Sequence, residues 1–292
     1  MDPFSQKTLT VFTPTYNRKD RLKRVYESLL DQTGDGFIWL IVDDGSDDGT
    51  DELIHTFQRE RRLAIRYFKQ PNGGKMRAHN TGVKLTDTPL FVCLDSDDYF
   101  TKDAVHDILK LWNDNGDSSL AGIIAHKGSD ETHILYGSDF PECSRSTLSG
   151  LYSKGFTGET TLVFRTELLK KYPFPDIPGE KYVPEDVVYD RIDREHDYLV
   201  LNKVLTVCEL VDKGLTDRVE LLREENPTGW FIYYYQRTLA EKKALLRFKY
   251  ASHYLRFRGR VDRKYRREYA LPFMLTLFGL PGAAALALKR KL

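Results

Sequence analysis

The sequence predicts an α/β fold, a mostly parallel sheet flanked by helices, followed by a helical C-terminal region. Three observations point to it. Apolar runs of strand length alternate with amphipathic helical stretches through the first half. Polar clusters follow the ends of these runs, where open α/β sheets gather their ligands. Beyond roughly Thr216 the strand patterns stop and helical ones take over. That change divides the chain into residues 1–215 and a helical region 216–292.

The elements follow in order. Leu9–Thr13 reads as a buried strand, and Asn17 can cap a helix with Leu22, Val25, Tyr26, Leu29 and Leu30 inward. Phe37–Val42 is a second strand, and Thr50 can cap a helix carrying Leu53, Ile54 and Phe57. Leu63–Phe68 is a third strand and Lys75–Leu85 a helix. Pro89–Leu94 is a fourth strand, after which Thr101 caps a helix with Val105, Ile108, Leu111 and Trp112 inward. Leu120–Ala125 completes a series that implies parallel pairing with right-handed crossovers. Gly128–Gly150 reads as a polar surface excursion, Thr161–Arg165 as a strand and Pro173–Pro184 as a proline-rich loop. That loop leads into Glu185-Asp186 and a helix over Val187–Glu195. Leu199–Leu201 and Leu205–Leu210 read as two short strands.

Composition narrows the function. The chain has 292 residues, 41% hydrophobic and 12% aromatic, enough for a sizeable core. A net charge of +1 argues against a chain that binds nucleic acid by its overall charge. Cys93, Cys143 and Cys208 show no CxxC spacing, which fits a reducing compartment and no thiolate zinc site. Met1–Lys7 lacks an apolar stretch, so no secretory signal is expected and the catalytic part is expected to face the cytoplasm.

Four clusters can carry chemistry. Asp95-Ser96-Asp97-Asp98 places three carboxylates in four residues, which repel one another unless a cation is present. Such hard oxygen ligands suit Mg²⁺ or Mn²⁺, and the competing reading is a solvated acidic turn ahead of a helix. Thr13-Pro14-Thr15-Tyr16-Asn17 and Asp43-Asp44-Gly45-Ser46 offer an aromatic ring for a base and carboxylates for a uracil N–H or ribose hydroxyl; turn chemistry is the alternative. Asn72-Gly73-Gly74-Lys75, followed by Arg77, His79 and Asn80, sets glycine N–H groups and cations where phosphate could approach. The spacing is not that of a P-loop, and no GxGxxG is present.

These motifs, in this order, resemble the family 2 glycosyltransferases with the Rossmann-like GT-A fold, from Thr8 to about Thr216. Val11–Asn17 is similar to the family's first nucleotide loop and Val42–Ser46 to its acidic base-and-ribose contact. Asn72–Gly82 is similar to its NGG…AxNxG segment, and Asp95–Asp97 to its DxD metal motif. Glu185-Asp186 is similar to the later ED pair, whose aspartate is the base in inverting members. The resemblance implies a nucleotide-sugar donor, UDP-linked, with Asp97 and Asp95 on the metal, Ser96 beside the donor, and Asp186 as base with Glu185 as the near alternative. A histidine ligand found in many members is missing from Cys208–Thr216, which leaves the third protein ligand open. The expected reaction is a single displacement, with inversion, onto an acceptor hydroxyl of a lipid-linked or cell-surface glycan. Glu159 is a further candidate for a sugar hydroxyl, or a surface acid.

The tail adds a membrane expectation. Lys242–Arg267 holds eleven Lys or Arg and one acid, and Ala270–Leu288 is nineteen residues without a charge. Pro272, Gly279, Pro281 and Gly282 interrupt it, so a broken, interfacial or re-entrant segment is expected rather than a span, with the upstream basic helix on the anionic headgroups of the inner membrane face. A helix packed on the catalytic domain, or an oligomer contact, is the alternative for such apolar residues. No nucleic-acid fold accompanies the basic residues. Competing functions are a sugar-nucleotide pyrophosphorylase, whose glycine-rich first loop is missing here, and a non-catalytic nucleotide-sugar-binding subunit.

Overall fold

A computed structural model describes residues 7–209 and 219–289. It divides into two compact units, Met1–Pro173 with Asp190–Asp212, and Phe174–Tyr189 with Lys213–Leu292. The boundary expected at 215/216 lies outside the described residues. The division places Phe174–Tyr189, and so Glu185 and Asp186, with the C-terminal helices.

The first unit opens with β1 (Leu9–Thr15), α1 (Lys19–Leu30), β2 (Phe37–Asp43), α2 (Thr50–Glu60), β3 (Ile65–Lys69), α3 (Lys75–Leu85) and β4 (Leu90–Cys93). Their strands lie in the order β3-β2-β1-β4, all parallel. β2 is buried along its whole length, as unbroken apolar runs in parallel sheets require. Leu22, Val25, Tyr26 and Leu29 of α1 join Trp39, Ile54 and Phe57 in the core. Tyr26 stacks on Phe57 at 3.9 Å. Each such buried side chain contributes about 1.5–3 kcal/mol.

The unit continues through β5 (Asp98–Phe100), α4 (Ala104–Asn115), β6 (Gly122–Gly128), β7 (Arg145–Ser146), α5 (Leu148–Ser153), β8 (Thr160–Arg165) and α6 (Thr166–Lys171). α7 (Asp186–Asp193) and β9 (Tyr198–Cys208) follow. The sheet extends as β4-β8-β6-β9-β5, with β7 on β9. The expected parallel pairing holds for β1 to β4, and the fifth strand, β6, runs parallel to β9 but joins β4 only through β8. β8 runs antiparallel to both β4 and β6, and β5 antiparallel to β9. An apolar run reports burial but not direction, which the partner strands decide. The two short strands expected near 200 are one, β9, whose register against β6 shifts between Ala125 and Lys127. That irregularity lets the polar pair Asn202-Lys203 interrupt an otherwise apolar strand.

The expected caps also differ. α1, α2 and α4 are preceded by Arg18, Gly49 and Asp103, without a side-chain cap bond. Thr50 is already helical, and Asp48 accepts from its N–H and hydroxyl.

The second unit holds the start of α7, then α8 (Val219–Glu225), α9 (Pro227–Ala240), α10 (Ala244–Arg258), α11 (Arg263–Glu268) and α12 (Phe273–Lys289). Phe231, Tyr254 and Phe257 centre its core, with Phe231 stacked on Tyr254 at 4.4 Å. The Glu180 carboxylate accepts from the N–H groups of Thr228 and Gly229 at 2.7 and 2.9 Å, in the first turn of α9. α12 is continuous, with Pro281 inside it, where a broken segment was expected. Gly279 and Gly282 do not break it: they let it approach α10, and a side chain at Gly279 would meet Ala251 at 2.8 Å. Among the described residues no helix is long and apolar enough to cross a membrane.

Candidate active site

The parallel strands β3, β2, β1 and β4 bring three of the polar clusters, with the Asn72–Lys75 segment after β3, to one edge of the sheet. The first two loops are tied together. Asn17 takes φ +50°, its N–H donates to Ser46 Oγ at 2.9 Å, and its Oδ1 accepts from Asp47 N at 3.0 Å. It therefore links loops rather than capping α1. Thr13 is buried and accepts from the Trp39 indole at 3.0 Å. Thr15 O accepts from Asp44 N, while Pro14 is half-buried. Tyr16 is 49% exposed, so its ring is available to a ligand.

Asp43 and Asp44 are buried and heavily engaged. Asp43 accepts from Ser46 N at 2.7 Å and the Tyr67 hydroxyl at 2.7 Å. Asp44 accepts from the Gln70 and Asn72 amides and from the N–H groups of Gly73 and Gly74. The two glycine N–H groups read from sequence as phosphate donors are thus directed to Asp44. A carboxylate already held at this turn is an equally good partner for such N–H groups. Gly45, at φ +90°, is required here, because a side chain would meet Asn72 N at 3.0 Å. Arg77 donates to Gly73 O at 2.7 Å, and Asn80 lies half-buried on the same helix.

The acidic turn differs from its sequence expectation in one respect: the chain itself supplies cations. Lys75 Nζ touches both oxygens of Asp95, at 2.8 and 2.9 Å. Arg18 pairs with Asp97, and Lys127 of β6 reaches Asp98 of β5 at 3.1 Å. Ser96 is buried within the turn, which closes through Asp98 N to Asp95 O at 3.0 Å. Burial opposes ionisation of Asp95, but the ammonium groups of Lys75 and Lys127 prevail and hold its carboxyl down at about 2. Burial of Asp98 pushes its carboxyl up, against the pull of Lys127. Burial alone would lower the Lys127 ammonium, yet Asp98 and Asp95 raise it. The Cys208 thiol, 3.5 Å from Asp98, is pushed up to about 12 by burial, so it is an inert neighbour.

A cleft of about 290 Å³ opens beside this turn, lined by Arg21, Arg24, Ser96, Asp97, Asp98 and Glu209. Glu209 pairs with Arg21, and with Arg24 at 3.6 Å. The rest of the stretch that lacks the family's histidine, 210–216, lies outside the described residues.

In the second unit, Asp186 opens α7, and its carboxylate is 3.0 Å from Arg237 of α9. Arg237 in turn lies over the Tyr233 ring at 5.4 Å. Glu185 precedes the helix, its carbonyl accepting from Val188 and Tyr189. Sequence reasoning missed Arg18, Tyr67, Gln70, Lys127 and Arg237. Lys127 alone carried a visible signal, a lysine inside an apolar strand.

The sheet order and the acidic turn after β4 define a GT-A glycosyltransferase fold. TarS of S. aureus (residues 1–349, in complex with UDP-GlcNAc) is similar at TM-score 0.62 and 16% identity, over 94% of this chain and 79% of that one. A mannosyltransferase of Pyrobaculum calidifontis, in complex with GDP-Man and Mn²⁺, is similar at TM-score 0.57 and 18% identity, over 98% and 82%. The family model for glycosyl transferase family 2 matches residues 10–173, more than half of the sequence, and the chain belongs to that family. An uncharacterized glycosyltransferase of Rickettsia felis is 39% identical over 107 residues, 37% of this chain and 17% of that protein. The chain therefore spans about a sixth of that relative's length.

Proposed function

We propose that the protein is an inverting glycosyltransferase that moves a sugar from a UDP-linked donor to an acceptor hydroxyl on a lipid-linked or cell-surface glycan. The observation that carries this is the gathering of the polar clusters at the carboxyl edge of four adjacent parallel strands. The donors named for the two solved neighbours, UDP-GlcNAc and GDP-Man, are both nucleoside diphosphate sugars and support the donor class.

Mg²⁺ or Mn²⁺ fits the residues present. Among the described residues no group of three potential ligands is assembled. These ions need fewer, because they bind through one or two carboxylates and complete their shells with water and substrate phosphates. The Asp95 and Asp97 side chains are 28% and 25% exposed and so within reach. Bound there, the ion would neutralise charge building on the leaving diphosphate. Tyr16 offers its ring to the base, and Asp43 and Asp44 act by bracing the loops around it. Lys75, Arg77 and Asn80 face the phosphates and sugar. Asp186 takes the proton of the acceptor hydroxyl, oriented by Arg237.

Transfer is separated from the pyrophosphorylase reaction by products. Donor incubated without acceptor should yield nucleoside diphosphate by slow hydrolysis. Donor with pyrophosphate should yield no nucleoside triphosphate. Triphosphate formation would replace this reading with the pyrophosphorylase, and no product with any donor would favour a binding subunit.

The second unit is assigned to the inner face of an anionic membrane. Leu245, Phe273 and Met274 are 80%, 73% and 73% exposed, among the cations of α10 and α11. Apolar area entering the interface contributes roughly 25 cal/mol per Å², and each cation near the surface about 1 kcal/mol. Full-length protein should float with anionic liposomes, less so at high salt, and Phe273→Ser with Met274→Ser should weaken flotation without loss of donor hydrolysis. Equal flotation of native and variant protein would remove the membrane assignment.

A further inference from the structure

Around the turn 95–98 each of three carboxylates has a cation of the chain beside it. The pairs differ in depth. Lys127 and Asp98 are 20% and 8% exposed, whereas Arg18 and Asp97 are 37% and 25%, and Lys75 and Asp95 are 24% and 28%. Breaking the buried pair would strand a charge away from water, so Lys127 and Asp98 stay together. The two shallower pairs are more open to solvent, and their carboxylates are those assigned to the metal above.

We propose that Arg18 and Lys75 are exchangeable counter-cations, which hold Asp97 and Asp95 until a divalent ion arrives with the donor and then turn to the donor's diphosphate. The inference rests on the metal and donor reading given above. Charge is conserved in the exchange. The ion brings two positive charges to carboxylates that lose two, and the released guanidinium and ammonium meet two ionised phosphates. Reach also fits. Lys75 spans 2.8 Å to Asp95, so a phosphate held beside that carboxylate would lie within reach of its ammonium. Arg18 thereby becomes a donor-binding residue, its planar fork suited to phosphate.

The exchange makes the two ligands mutually dependent. Metal alone must displace the cations, and donor alone must draw them from their carboxylates. Each ligand relieves the cost of the other, which is positive coupling.

The test is a Mn²⁺ titration of the full chain followed by electron paramagnetic resonance, with and without UDP, corrected for Mn²⁺ held by free UDP. UDP affinity is measured in parallel by calorimetry. In the native protein UDP should tighten Mn²⁺ binding about tenfold, within the usual span of linked sites. Arg18→Gln should bind Mn²⁺ alone several-fold tighter than native, bind UDP more weakly, and lose most of the coupling. Arg18→Lys, which keeps the charge, should retain most of it. Unchanged Mn²⁺ affinity and unchanged coupling in Arg18→Gln would overturn the exchange and leave the metal reading standing. Absence of Mn²⁺ binding to the native protein, even with UDP, would overturn both.

Discussion

Asp186→Asn is expected to lower turnover by about 10²–10⁴, the usual range for a lost general base, with donor affinity unchanged. The acceptor hydroxyl is a poor nucleophile until its proton is taken. Asparagine has nearly the same shape as aspartate but cannot take that proton. The factor corresponds to about 2.7–5.5 kcal/mol in the barrier. The fold should tolerate the change, because the Asp186 side chain is 41% exposed and its pair with Arg237 is of the kind worth about 0–1 kcal/mol. Turnover at saturating donor, set against donor affinity by calorimetry, separates this role from binding. Should Glu185→Gln be inactive and Asp186→Asn active, the base is Glu185.

Asp97→Asn is expected to cost at least about 10² in turnover, the scale of losing one preorganised electrostatic contact to the developing charge. Its thermal unfolding should be close to native. The turn itself is built from Asp95 O, Asp98 N and the buried Lys127–Asp98 pair, none of which involves the Asp97 side chain. Mn²⁺ binding should weaken in the same variant. Native activity with full loss of Mn²⁺ binding would show that the ion is not part of the reaction.

Much of this was legible in the sequence because it is local. The apolar runs of β1, β2 and β4 and the acids that follow them report on burial and loop position within a few residues. Strand direction was not legible: β8 lies antiparallel because of the partners it meets, and Thr161–Arg165 reads the same either way. The roles of Asp43 and Asp44 were read from their charge alone. Their buried state depends on Tyr67, Gln70 and Gly73, 24 to 29 residues away in the chain. The same distance hid the counter-cations. Arg18 and Lys127 lie 79 and 29 residues from the carboxylates they neutralise, so an acidic tetrapeptide that reads as a cation-seeking site is already compensated by its own chain. In the tail, Gly279 and Pro281 suggested a break by local propensity, and packing of α12 on α10 overrode it.

In the proposed reaction this chain cleaves the sugar–diphosphate bond of a nucleotide sugar with the help of a divalent ion at Asp95 and Asp97. It is tested most directly by nucleoside diphosphate release from a panel of nucleotide sugars, in Mn²⁺ and again in excess chelator. Release is expected from at least one donor, UDP-linked, in Mn²⁺, with its loss in chelator and recovery on adding the ion back. Equal release in Mn²⁺ and in chelator, or none from any donor with metal present, would contradict it.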